Sequence, residues 1–595
     1  MNKQSKASST ILYVSLLAFI LYVVYILRIN QEVFYTAHGR SEYLYGSPFF
    51  HTLVSKPFGL MQYVGAWLTQ FFFHPVIGTG LLVIIWVLIF IVGVKAFRLH
   101  GSTSALMCLP VASLLTSVVD LGYWVYISDI RGYWFSQSVA YLIMLLLLWA
   151  ARNTPRTWHL VWYLLSICVY PVLGWFALLF MLCLMISQKP TWREFFGIVL
   201  LLFTASIWRA LLYSNLHFDD VVLAGFPRFF TANGNSPHLS IPFWMLGAVS
   251  VAMSCRLWKW SFGRLEVLVP VLCALASIIF TSSLMYHDKN YIDEMRMVRY
   301  AEDDNWNEVL HIASDQPKPT VSMVFLKNVA LMNVGGLLDR SFKMGNIGYP
   351  IDNPDSLHVS FLNIVSPVVY YNYGMMNEAI RLNYELAIQY GFSPFYLKTL
   401  SRCALATGDS KLIERYSTLL HHLPSYSNWQ PALVSAKVKE LQSSYPDEIT
   451  GVENSDSYIV NSISCWSENR SKVASEQALF YAMISCDAHR FWPSLRHYLK
   501  LHLDEDFPVH AQEAYIVYMD KAPEEKRMMI PVEEDVYNRY KQFCEALSRQ
   551  MKPGKTVGQV AEEMRGEWSD TYWYYYYFGR QYSNTVGRKN SEVQS

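Results

Sequence analysis

The sequence predicts an all-α chain. A polytopic α-helical membrane domain is expected at 1–287, a soluble α-helical repeat domain at 288–545, and an aromatic-rich tail with a disordered end at 546–595. Three observations predict this. Hydrophobic residues make up 53% of the chain and charged residues 16%, but the average hides a division near residue 287. Before it, apolar runs alternate with short polar loops. After it come stretches such as YIDEMRMVRYAEDDNWNEVL. Residues 288–595 sustain no period-2 alternation of a half-buried strand, whereas apolar residues at helical spacing recur there in pairs.

The apolar runs fall at 11–28, 76–97, 103–119, 135–151, 195–214, 240–257 and 265–286. The first follows MNKQSKASST with no A-x-A cleavage site after it, and is read as a retained span. The loop at 29–75 is strongly aromatic. Its part at 48–73 is too apolar for a free loop and is expected to form helices in the membrane interface, with Tyr63, Trp67 and Phe71 at headgroup depth.

The uncharged stretch at 158–187 is the ambiguous one. A crossing needs about 20 apolar residues, so this run is too long for one span and short for two. Pro171 removes a backbone donor and Gly174 tolerates a tight bend, which favours a hairpin. Charge supports the same reading, because Lys and Arg collect in cytoplasmic loops. With a hairpin, the cytoplasmic loops hold eleven cations (Lys3, Lys6, Lys95, Arg98, Arg152, Arg156, Lys189, Arg193, Arg256, Lys259 and Arg264), and the outer loops hold five (Arg28, Arg40, Lys56, Arg131 and Arg228). A single crossing would leave seven inside and nine outside. The charge bias therefore places the N-terminus in the cytoplasm and residues 288–595 outside it; in a bacterium the expected location is the inner membrane, with residues 288–595 in the periplasm.

In the second half, SPVVYYNYGMMNEAIRLNYELAIQYGF turns at Gly374, and SPFYLKTLSRCALATGDSKLIERYSTLLHHLP turns at Gly408–Asp409. Ser393 and Ser410 stand where N-caps belong. Further pairs are expected around 306–336 and 474–502, and a polar loop at 445–470. These pairs resemble tetratricopeptide repeats, although the full W-x2-L-G-x2-Y pattern is absent. Such repeats stack into a curved surface that binds peptides or proteins. The resemblance implies a periplasmic or envelope protein partner on a surface around Tyr371, Tyr373, Asn377, Arg381 and Tyr384. The alternative is a helical domain packed on its own membrane half. The seven consecutive aromatics from Tyr572 to Phe578 are either a docking strip or a capping core helix. As a whole the chain resembles uncharacterised bacterial membrane proteins that join a multi-spanning region to tetratricopeptide-like helices.

Several chemistries are excluded. A net charge of +1 leaves no basic excess for nucleic acid. The nine cysteines form no CxxC or Cys/His cluster, so no zinc site is expected. No Walker loop, GxSxG, HExxH or dinucleotide fingerprint occurs, and no cofactor is expected. What remains is charge at the membrane ends. Arg209 lies inside a run, where an ionisable residue suggests function or snorkelling. Glu32, Glu42, Asp120, Asp129, Asp219 and Asp220 fall in outer loops. This layout resembles the C-type glycosyltransferases, which act on polyprenyl-phosphate-linked sugars. The resemblance implies Glu42 (or Glu32) and Asp129 as catalytic carboxylates and Arg209 as the lipid-phosphate ligand. The chain departs from that family in having PFGL at 57–60 and no acidic pair opening the first loop.

Overall fold

A computed structural model describes residues 3–127, 130–187, 192–231, 234–255, 268–349, 351, 364–444, 471–521, 530–551 and 554–579. Asp129, the 445–470 stretch and the end of the tail from 580 lie outside these residues. The described chain is all-α apart from one two-residue antiparallel strand pair, Phe230–Thr231 with Gly234–Asn235.

Helices form where uninterrupted apolar sequence allows the backbone to satisfy its own hydrogen bonds. Among the described residues, five are long and apolar enough to cross a membrane: Ser9–Ile29, Pro75–Phe97, Gly101–Val119, Tyr133–Asn153 and Trp192–Leu211. A sixth candidate is the pair Val269–Leu284 and Lys289–Glu302, bent by 70°. The eight or so elements expected from the sequence also count the two shorter arms of 158–187. The run at 240–257 is helical over Ile241–Ser254, only 14 residues.

The stretch at 158–187 is divided between His159–Leu173 and Trp175–Ile186. The Ser166 hydroxyl donates to the Ala177 carbonyl at 2.8 Å, across 11 positions. In a continuous helix these residues would stand roughly 16 Å apart, so the chain folds back on itself. Gly174, at φ +55° and ψ −131°, makes the break. The break leaves the Pro171 carbonyl and the Trp175 N–H without a helical partner. Phe58 N–H donates to the first at 2.7 Å, and the Ala224 carbonyl accepts from the second at 2.8 Å.

The 48–73 segment forms helices Ser47–Val54 and Gly59–Thr69 and a 3-10 turn, Gln70–Phe73. The Gly59–Thr69 helix packs closely against Tyr133–Asn153: a side chain at Gly65 would strike the Gly132 carbonyl.

The later helices pair with their sequence neighbours. They include Trp306–Ser314 with Val321–Val334, Pro394–Thr407 with Ser410–His421, and Lys472–Ile484 with Ala488–Leu501. Asp409 caps the helix at Ser410, accepting from the N–H groups of Lys411 and Leu412, so the cap stands one residue before the expected serine. A continuous buried apolar cluster runs from Phe19 to Phe578, so the two halves share one core. The tail belongs to that core. Tyr572 and Trp573 are fully buried, and Glu513 accepts from the Tyr572 N–H at 2.7 Å and, through its carbonyl, from the Trp573 indole at 3.1 Å.

Helix Gln31–Arg40 packs against the second half through helices Lys289–Glu302 and Pro394–Thr407. Glu32 lies 3.0 Å from Arg299. His38 stacks on Tyr426 and shares a 3.1 Å hydrogen bond with its hydroxyl. Burial lowers the His38 pKa to about 3, so it is neutral there. The Arg40 guanidinium sits 3.6 Å from the centre of the Phe395 ring and donates to the Ile364 carbonyl at 2.6 Å.

A candidate anion site at one end of the apolar bundle

A cavity of about 620 Å³ lies between three segments: 53–62, 130–137 and 216–230. The break at Gly174 positions two of them. Through Pro171 it holds Phe58, and through Trp175 it holds the loop at Ala224. The third is the first turn of Tyr133–Asn153, where Gln137 Nε2 donates to the Gly225 carbonyl at 2.9 Å.

Three cations line this space: Lys56, Arg131 and Arg228. Arg228 is paired with Asp220, which also lines it. Arg131 Nη2 lies 2.8 Å from Glu42 Oε2. No ion pair is recorded for Lys56 among the described residues. Two further polar groups point to a ligand. Ser136 and Gln137 line the cavity although they are 1% and 4% exposed, and neither Ser136 Oγ nor Gln137 Oε1 has a hydrogen-bond partner among the described residues. A buried acceptor left unmade costs about 1–3 kcal/mol. Apolar surface from Leu53, Phe58, Leu223 and Phe226 completes the wall. Cations, unmet hydrogen-bonding atoms and apolar wall together suit an amphiphile with an anionic, hydroxyl-bearing head.

A smaller space of about 40 Å³ adjoins it, sharing Ile130 and Arg131 and lined also by Glu42 and Tyr390. Glu42 is buried there. Its Oε1 accepts from the Phe392 N–H at 3.3 Å, and burial raises its pKa despite the nearby Arg131.

The residues singled out from sequence are not gathered into one place. Glu42 lies beside the cavity, joined to it by Arg131. Asp129 is outside the described residues, although its neighbours Ile130 and Arg131 line the space. Arg209 is exposed near the end of its helix, with Phe218 as its ring neighbour at 5.9 Å, and does not line the cavity. Asp219 is exposed and Asp120 is buried. On the expected partner surface, Tyr371 and Tyr373 are core residues at 5% and 0% exposure. Arg381 is paired with Glu378 and Glu385, and Tyr384 is hydrogen-bonded to Tyr416. Only Asn377 of the five is exposed. Among the described residues no three His, Cys, Asp or Glu side chains gather as a metal site.

Lys56, Arg228, Ser136 and Gln137 were not singled out from sequence. One signal was available. Cations in outer loops go against the usual charge bias, and three of the five assigned there line this cavity.

A family model described as a family of unknown function, DUF6057, matches residues 6–579. The chain belongs to the DUF6057 family. No curated protein and no solved structure matches it. The DUF6057 match takes in the apolar helices and the later helices alike, and both the cavity's lining and the Gly391–Phe392 turn fall within the matched residues.

Proposed function

We propose that the chain is a multi-pass protein of the bacterial inner membrane whose outer-face cavity binds a lipid carrying an anionic, hydroxyl-bearing headgroup. The lining carries this reading: Lys56, Arg131 and Arg228 around the unmet acceptors of Ser136 and Gln137, beside apolar wall. The orientation rests on where cations meet at the far end of the bundle. Arg98 donates to the Arg152 carbonyl, Arg152 donates to those of Ala96 and Ser254, and Arg193 to that of Arg156. These lie at the opposite ends of Pro75–Phe97 and Tyr133–Asn153 from the cavity. A basic end of this kind is retained in the cytoplasm.

A polyprenyl-phosphate-linked sugar fits the cavity's chemistry, and Asp220 in the lining favours glycosyl transfer from such a donor as the activity, with the carboxylate as base. Binding of an envelope protein to the later helices has weaker support, since two of the five residues that suggested it are in the core.

The test is binding by the purified full-length protein in detergent. Geranylgeranyl phosphate should bind more tightly than geranylgeraniol or inorganic phosphate, and Lys56→Ala should weaken it about ten-fold. Equal binding of the alcohol and the phosphate would refute the site.

A further inference from the structure

Arg131 is the charged residue common to the two adjoining cavities, which also share Ile130. On one side it faces the larger space. On the other its guanidinium lies 2.8 Å from Glu42 Oε2. The contact is ionic without being directed: Oε2 takes no hydrogen bond of regular angle. Glu42 itself is held by the later helices. Phe392 N–H donates to its Oε1, and Gly391 lies so close that an added side chain would stand 2.7 Å from the Glu42 Cβ and Oε2. Gly391, at φ +101°, ends helix Met376–Tyr390, and Pro394–Thr407 begins three residues on.

Two anions therefore compete for one guanidinium. The Arg131 side chain is 29% exposed and Glu42 8%, so the cation is the mobile member and the carboxylate the fixed one. We propose that Glu42 is a latch and not a catalytic base: it holds Arg131 away from the cavity's ligand, and the turn at 391–392 sets the strength of that hold. The latch rests on the reading of the cavity as an anionic-lipid site. It gives the later helices a route to control binding, because any movement of the turn relative to helix Gln31–Arg40 changes the charge that Arg131 offers to the ligand.

The experiment is a double-mutant cycle on the purified full-length protein, titrated with geranylgeranyl phosphate. Glu42→Gln should tighten binding by about two- to five-fold, the range set by releasing a partly exposed ion pair. A folding defect cannot produce that gain. In an Arg131→Ala background, Glu42→Gln should change affinity by less than two-fold, because no guanidinium remains to be released. Lys56→Ala serves as the separate check on the cavity. Wild-type binding that depends on Lys56, with Glu42→Gln unchanged or weaker, overturns the latch and leaves the cavity reading standing. Tightening that persists in the Arg131→Ala background also overturns it. No binding by the wild type overturns both.

Discussion

The Phe58 N–H donates to the Pro171 carbonyl at 2.7 Å, tying the first long loop to the broken helix. That carbonyl is available because the helix stops at Gly174, whose conformation is open to glycine and costly for other residues.

Gly174→Ala should therefore lower stability by about 2 kcal/mol or more, since the new side chain would also strike the Ala224 carbonyl. Gly80→Ala, in open space on Pro75–Phe97, is the control and should be neutral or stabilising. Thermal unfolding of both variants in detergent measures this. Equal melting temperatures would remove Gly174 from its structural role.

A second expectation concerns pH. Glu294 is fully buried on Lys289–Glu302, a helix with six charged residues, where Tyr123 and Thr320 donate to its Oε2. Burial raises its pKa to about 8. A carboxyl whose folded pKa lies above its unfolded value stabilises the fold below the unfolded value, and loses that contribution as pH rises through the folded one. The melting temperature should fall between about pH 5 and pH 8, from the ordinary carboxyl value to the raised one, and Glu294→Gln should flatten that fall. A wild-type curve that is level over this range would show that Glu294 is ionised in the fold.

The core positions Tyr373 and Trp573 make a third test. Trp573→Ala and Tyr373→Ala should each cost about 3–5 kcal/mol, as large buried side chains do. Asn377→Arg and Tyr537→Ala, at more exposed positions, should stay within about 1 kcal/mol of the parent. If Asn377→Arg abolished a cellular phenotype with stability intact, the partner-binding reading would regain its surface.

Orientation can be read from cysteine labelling in a cysteine-free background, with an impermeant maleimide and a permeabilised outer membrane. Leu503→Cys, at a position 82% exposed, should label in intact cells. His100→Cys, beside the basic end, should label only after lysis. The reverse pattern would turn the chain over and place the cavity in the cytoplasm.

The all-α class and the apolar helices were legible from sequence, because both are local properties. A run such as VIGTGLLVIIWVLIFIVGV is helical in any setting that lacks water, and Pro171 with Gly174 ends a helix whatever surrounds it. The site was not legible in this way. Lys56, Arg131 and Arg228 are separated by 75 and 97 positions and share no spacing rule, and Ser136 and Gln137 look like ordinary residues of a helix's first turn. The hydrogen bonds from the Gly174 break to Phe58 and Ala224, together with the bond from Gln137 to the Gly225 carbonyl, bring their segments together. The same holds for Glu42. Its sequence position marks it as a loop acid, but its role depends on Phe392, 350 residues away. Burial of Tyr371 and Tyr373 was likewise set by packing. An aromatic at helical spacing serves a surface or a core equally well, and the partner across the helix decides which.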